Sequence, residues 1–327
     1  MTKKTRRIFL IFGAIAVLAV GGCFALSNVP LGQITSEQGL QIRTALKEEG
    51  KEFPVGAAFR VQVDPNDLSI TEGLDEAWRH FLLLGTDTGD VTLNTGRTDA
   101  MMVLSLNVET GDLKLTSLVR DMLVKISGAG TEDRINAANA FGGPLLAIKT
   151  VNELLELNIS RYVSVNFAGF ASIIDHMGGV KLNLSKSEAK LAGVDYGSGE
   201  QVLNGWQTLG YVRIRKLDNN FGRNERQRIT LQALLKQFQR MGSDGVADTI
   251  AKALAVTATN LTAAEVIELV PLALKNSESF ETLSLPEAGK FSYARTEQGQ
   301  SVIRFRVETL RESFRAFVWN AGAPDTQ

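Results

Sequence analysis

Apolar residues divide the chain into an uncharged run, a polar stretch, and a long region where short apolar runs alternate with helical spacings. The uncharged run extends from Ile8 to Leu26, 19 residues, behind Lys3, Lys4, Arg6 and Arg7. That is close to the roughly 20 residues that cross a bilayer core. The positive flank predicts an amino terminus on the cytoplasmic side. A cleaved signal peptide has the same charge order, and Val20-Gly21-Gly22-Cys23 has the small residues and lone cysteine of a lipoprotein cleavage site. All three readings place the rest of the chain on the outer face of a membrane. We read residues 1–26 as a cytoplasmic stub and transmembrane anchor, and 27–75 as a stalk or accessory segment. Within the latter, Ser36 to Glu52 predicts a short helix, Phe59 to Val63 a strand, and Asp64-Pro65-Asn66-Asp67 a turn.

The main domain is expected over residues 76–320, with its core at 76–240. His80 to Leu84 and Met101 to Asn107 read as buried strands, and Glu109-Thr110-Gly111-Asp112 as a tight turn into Leu113 to Leu118. Met122 to Ile126 is expected to extend that sheet. From Pro144, apolar residues at 145, 148, 151 and 155 predict a helix. Tyr162 to Val165 and Val180 to Leu184 read as strands flanking a helix from Phe167 to His176, which Gly178-Gly179 closes. Helices are predicted over Leu203 to Val212, Glu225 to Met241, Val246 to Val256 and Ala263 to Leu274. Phe280 to Leu285, Phe291 to Arg295 and Val302 to Phe305 complete the strands, and Val307 to Val318 is the closing helix. Strands and helices mix throughout, so the predicted class is α/β around a mostly buried mixed sheet.

Composition narrows the chemistry. The formal net charge is -1, with 35 basic and 36 acidic residues, which leaves no protein-wide basic face for a nucleic acid. One Cys and two His exclude a cysteine-rich zinc site and an intrachain disulfide, and nearly exclude a serine-type triad. The average conceals two uneven segments. The four basic residues before the apolar run leave the remainder at -5. Tyr211 to Arg228 then carries six basic residues (Arg213, Arg215, Lys216, Arg223, Arg226, Arg228) against two acids. Arg213 and Arg215 are two apart, which in an extended stretch turns them the same way. Arg223 and Gln227 share a helix face. Guanidinium forks match phosphate oxygens, so Arg213, Arg215 and Arg223 are candidates for an anion site, while Arg226 and Arg228 read as solvated helix-start charges. Asp87, beyond one strand, and Asp99, before the next, can meet at one sheet edge and hold Mg²⁺ with phosphate oxygens. Arg120 closes an apolar strand, where it needs either Asp121 or a ligand. His80 and His176 read as structural, and the tryptophans as core or rim packing.

These motifs stand in an order that resembles the LytR-CpsA-Psr family. They are Leu-Leu-Leu-Gly-Thr-Asp (82–87), Gly-Arg-Thr-Asp-Ala-Met-Met (96–102), Leu-Val-Arg-Asp (118–121), Arg-Ile-Asn-Ala-Ala (134–138), Gly-Gly-Val (178–180), Leu-Asn-Gly (203–205), Tyr-Val-Arg-Ile-Arg (211–215) and Phe-Gly-Arg-Asn-Glu-Arg-Gln (221–227). The resemblance implies an α/β/α sandwich whose apolar groove holds a polyprenyl tail. It further implies a membrane-anchored, Mg²⁺-dependent phosphotransferase with an extracellular carboxy-terminal domain. Such an enzyme moves a teichoic-acid or capsule-like glycopolymer from a polyprenyl-pyrophosphate carrier to peptidoglycan. Its partners would be that donor, the acceptor and membrane lipid, with no nucleic acid. Carried over by position, Asp99 and Arg120 are catalytic, and Asp87 and Asp99 hold the metal. Arg97, Arg120, Arg213, Arg215, Arg223 and Gln227 bind pyrophosphate. Asn220 stands where the family often has Asp, and Arg134 where Lys is common. Two alternatives use the same residues: a lipid pyrophosphatase, and a non-catalytic protein that binds or regulates wall polymer.

Overall fold

The computed structural model describes residues 61–86, 96–194, 198–214, 217, 220–238, 241, 243–262, 265 and 281–319. The expectations placed on residues 8–26 and 36–52, and nearly all of 263–274, lie outside them. Among the described residues no helix is long and apolar enough to cross a membrane.

Period-2 apolar runs supply the centre. β1 (Trp78–Thr86) pairs antiparallel with β2 (Thr98–Asn107), which turns into β3 (Leu113–Leu118). The expected tight turn is present. Gly111 takes a φ of 83°, and its N–H donates to Asn107 O at 2.8 Å. On its other side β1 runs parallel to β6 (Arg161–Asn166), which carries the short edge strand β9 (Thr257–Thr259). The opposite edge is β10 (Glu281–Leu285), parallel to β3. The sheet order is therefore β10-β3-β2-β1-β6-β9, a mixed sheet as expected.

Alternation splits the core in two. Phe81, Leu83, Met102 and Leu104 face one side. There they pack on α2 (Phe167–His176), α4 (Gly205–Val212), α5 (Asn220–Phe238) and α6 (Ser243–Val256). Leu82, Leu84, Met101 and Val103 face the other side and meet α1 (Ala137–Leu155) and α7 (Val307–Trp319). Helices thus cover both faces of the sheet.

Several elements depart from the sequence reading. β4 (Leu123–Ile126) does not extend the sheet. It pairs with β5 (Thr131–Arg134) in a separate hairpin, while β10 takes the place beside β3. The helix expected over Leu203–Val212 begins at Gly205, and Leu203 ends β8 (Gly199–Leu203), the partner of β7 (Val180–Leu184). A capping box of Asn204 and Gln207 sets that start. Another, Ser185 with Glu188, opens α3 (Lys186–Ala192), which the apolar pattern did not reveal. α1 starts before Pro144 but breaks at Gly142 and Gly143, so Pro144 does open its regular part. α5 starts at Asn220, so Phe221-Gly222 is helical rather than a shaped loop. The described part of Phe59–Val63 is irregular, and Val61 N–H donates to Phe141 O at 2.9 Å. β11 (Phe291–Arg295) and β12 (Ser301–Phe305) form the expected closing hairpin.

Candidate functional site

Strand direction gathers the site. β1 and β6 are parallel, so their carboxyl ends share an edge, with Thr86 opposite Asn166. β2 is antiparallel to β1 and begins at that edge. The register jumps there: Gly85 faces Ala100 and Thr86 faces Thr98, which leaves Asp99 as the extra residue of a bulge. A bulge re-aims side chains next to a site. Asp99 and Ala100 both border one groove.

Around Asp99 the charges alternate. Arg120, just beyond β3, pairs through Nη1 with Asp99 Oδ1. Arg120 Nε lies 3.4 Å from Asp121 Oδ1, and Arg134 Nη1 lies 3.5 Å from the same oxygen. Arg213 Nε lies 3.6 Å from Asp99 Oδ2. Among the described residues three guanidinium groups thus gather about the carboxylates of Asp99 and Asp121, at a place where Arg120 is only 12% exposed. Low exposure strengthens its attraction for an anion. Backbone bonds fix this end of β3. Val119 N–H donates to Leu285 O at 2.9 Å, and Ile303 N–H to Asp121 O at 2.8 Å.

Arg213 is not in an extended stretch. It caps the carboxyl end of α4, and its guanidinium lies 4.3 Å from the centre of the Phe167 ring at the start of α2. The same-side argument for Arg213 and Arg215 therefore does not apply. Arg97 stands slightly apart, donating to Asn136 Oδ1 at 3.3 Å and lying 3.6 Å from Asp133 Oδ2. Asp87 and Arg215 lie outside the described residues, as does the side chain of Arg223, whose backbone is in α5.

From this constellation a groove runs between the sheet and α2, α4 and α5, with about 730 Å³ of space including its open mouth. Leu83, Met102, Phe170, Leu209, Leu231 and Leu234 line it, and Asp99, Arg213 and Gln227 are among its few polar neighbours.

Other charged residues are structural. Arg226 is buried, not solvated: its Nε donates to Glu188 Oε1 at 2.9 Å and its Nη1 to Ile214 O at 3.3 Å. Burial pushes the Glu188 carboxyl up, but hydrogen bonds from Ser185 and Arg226 outweigh it and hold the group below its ordinary value. Burial, with Glu188 nearby, raises the Tyr211 hydroxyl to about 12. Arg228 pairs with Glu225 on its own helix. His80 is buried against Phe314 and Trp319 and shares a 2.8 Å bond with Ser105 Oγ; burial lowers it to about 4. His176 Nε2 lies 3.1 Å from Asp248 Oδ2 and joins α2 to α6. Trp206 is 61% exposed and belongs to no core. Asp121 is the ion-pair partner that the sequence offered for Arg120. Arg134 and Phe167 join the site without having been assigned to it from sequence, and only the basic start of Arg-Ile-Asn-Ala-Ala pointed toward Arg134.

The groove is apolar along most of its lining and borders the guanidinium groups, a shape suited to a ligand with an anionic head and an apolar tail. The LytR_cpsA_psr family pattern matches residues 39–313, and the chain belongs to that family. A relative from Bacillus cereus (strain AH820), the polyisoprenyl-teichoic acid–peptidoglycan teichoic acid transferase TagU, is 32% identical over 85% of this chain and 88% of its own length. The crystal structure of B. subtilis TagV has 26% identity and a TM-score of 0.59, covering 75% of this chain and 98% of that one. The LytR-CPS2A-psr family protein YwtF (TagT) with bound octaprenyl pyrophosphate lipid shares the fold. Its identity is 23% and its TM-score 0.58, over 76% of this chain and 95% of that one.

Proposed function

We propose that this chain is a membrane-anchored phosphotransferase that moves a teichoic-acid or capsule-like glycopolymer from a polyprenyl-pyrophosphate carrier to peptidoglycan. The observation that carries the reading is the groove: apolar along its length, with Asp99 and Arg213 at its polar end and Arg120 paired to Asp99. The uncharged run of residues 8–26 would be the anchor, placing the folded domain outside the membrane. The acceptor hydroxyl attacks the phosphorus on the glycopolymer side. The bond to the lipid phosphate breaks, and that phosphate leaves on its polyprenyl tail. Arg120 and Arg213 neutralise the charge that builds on the phosphates, while the walls of the groove position the tail. Asp99 orients both guanidinium groups, and its carboxylate is the proposed acceptor of the hydroxyl proton.

Asp99 suits a hard cation in donor type, and among the described residues no cluster of three metal-ligating side chains forms a protein cage. The donor type of Asp99 is what supports a proposed Mg²⁺ held by Asp99 with Asp87 and substrate phosphates; when bound, the ion would offset phosphate charge. Arg97, Arg215, Arg223 and Gln227 complete the proposed pyrophosphate contacts.

The expected result is transfer from a polyprenyl-pyrophosphate saccharide to peptidoglycan that a metal chelator suppresses. Asp99→Ala or Arg120→Ala should each reduce turnover about 100-fold or more. Unchanged turnover in both variants would overturn the reading. Phosphate release equal with and without peptidoglycan would redirect it to hydrolysis.

A further inference from the structure

Inside the groove one polar atom is out of character. Thr230 lies on α5, three residues beyond Gln227, and is 2% exposed among Leu231, Leu234, Phe170 and Leu209. Its Oγ1 makes no hydrogen bond among the described residues. A helical threonine commonly gives its proton to the carbonyl four residues back. Thr208 does so with Asn204 O at 2.7 Å, and Thr249 with Gly245 O at 2.8 Å. Thr230 does not, although it too is helical. An unpartnered hydroxyl this deeply buried is costly, and it marks a place where a ligand or water supplies the missing partner.

Depth along the helix indicates which part of a ligand it would meet. Three helical residues rise about 4.5 Å. Thr230 therefore follows Gln227 by about one turn of α5 and precedes Leu231 and Leu234, all of them lining the groove that Asp99 and Arg213 border. A phosphorylated lipid whose head is held by the guanidinium groups changes from phosphate to hydrocarbon at that depth. We propose that Thr230 is a specificity-determining residue for the donor, and that its hydroxyl donates to the lipid-proximal phosphate of a polyisoprenyl phosphate whose tail fills the groove. It would thereby select a ligand with a phosphate at this depth over one without. The inference rests on the groove being the donor's lipid site.

Thr230→Val tests it, since valine keeps the shape and removes only the hydroxyl. The experiment measures equilibrium binding of a polyprenyl pyrophosphate and of the matching polyprenol to the full-length chain. The melting temperature of each variant reports folding. Thr230→Val should melt no lower than the wild type, lose about tenfold in affinity for the pyrophosphate, and keep its affinity for the polyprenol. Thr230→Ser should restore pyrophosphate binding. Equal pyrophosphate affinity in Thr230→Val and wild type, or equal loss for both ligands, would overturn the assignment. Failure of the wild type to bind the pyrophosphate would instead overturn the donor-site reading on which it rests.

Discussion

Asp121 shows how much a site depends on side chains that need not touch a substrate. Its Oδ1 lies near both Arg120 Nε and Arg134 Nη1, at 3.4 and 3.5 Å, while Asp99 holds Arg120 from the opposite side. Arg120 is therefore oriented by two carboxylates at once, and a planar guanidinium so held presents a fixed face to phosphate. Asp121→Asn keeps the size but removes the charge. We expect about a tenfold lower kcat with nearly unchanged donor affinity, because Arg120 remains present but less well aimed. Steady-state kinetics beside direct lipid binding separates this from a loss of fold, which would depress both. The candidate residues were legible in sequence as types, since scarce His and clustered Arg pointed to guanidinium chemistry. What each Arg does was not legible, because Arg226 and Arg213 differ only in the tertiary neighbours they meet. Arg226 is consumed by Glu188 and a carbonyl, whereas Arg213 is left at the groove with its side chain 46% exposed.

The packing of α4 across α2 decides whether Arg213 and Phe167 can meet. Gly205 permits the crossing: a Cβ there would lie 2.1 Å from Ala171 O. Its N–H also donates to Asp175 Oδ1 at 2.7 Å. Gly205→Ala must push the helices apart, so we expect a loss of about 2 kcal/mol in stability, read from denaturant unfolding. Activity should fall as well, because the two helices carry the stacked pair. Elements with a single clear period, such as β1, α2 and α7, were readable from spacing alone. α3 and β8 were not, because both are short and mostly polar. Their signals were local caps and turns rather than periodicity: Ser185 with Glu188 for α3, and Asn204 with Gln207 at the end of β8.

At the scale of the molecule, sequence order and spatial order diverge. Every site residue assigned from sequence lies before residue 240, yet the strand beside β3 is β10, residues 281–285. Lys114, 4% exposed, donates through Nζ to Phe317 O at 2.6 Å, at the end of α7. Long-range pairing of this kind leaves no local trace, which is why β10 was readable as a strand but its neighbour was not. A chain ending at residue 280 should lose cooperative unfolding and turnover together, as calorimetry and the transfer assay would show, although it retains all the proposed catalytic side chains. The same geometry imposes an order on assembly. Until β10 and α7 dock, the edge of β3 stays open, Lys114 stays hydrated, and Leu285 cannot fix the segment that bears Arg120. Arg120 is thus aimed only after strands distant in sequence have met, so a half-folded chain has the charges of the site without their arrangement.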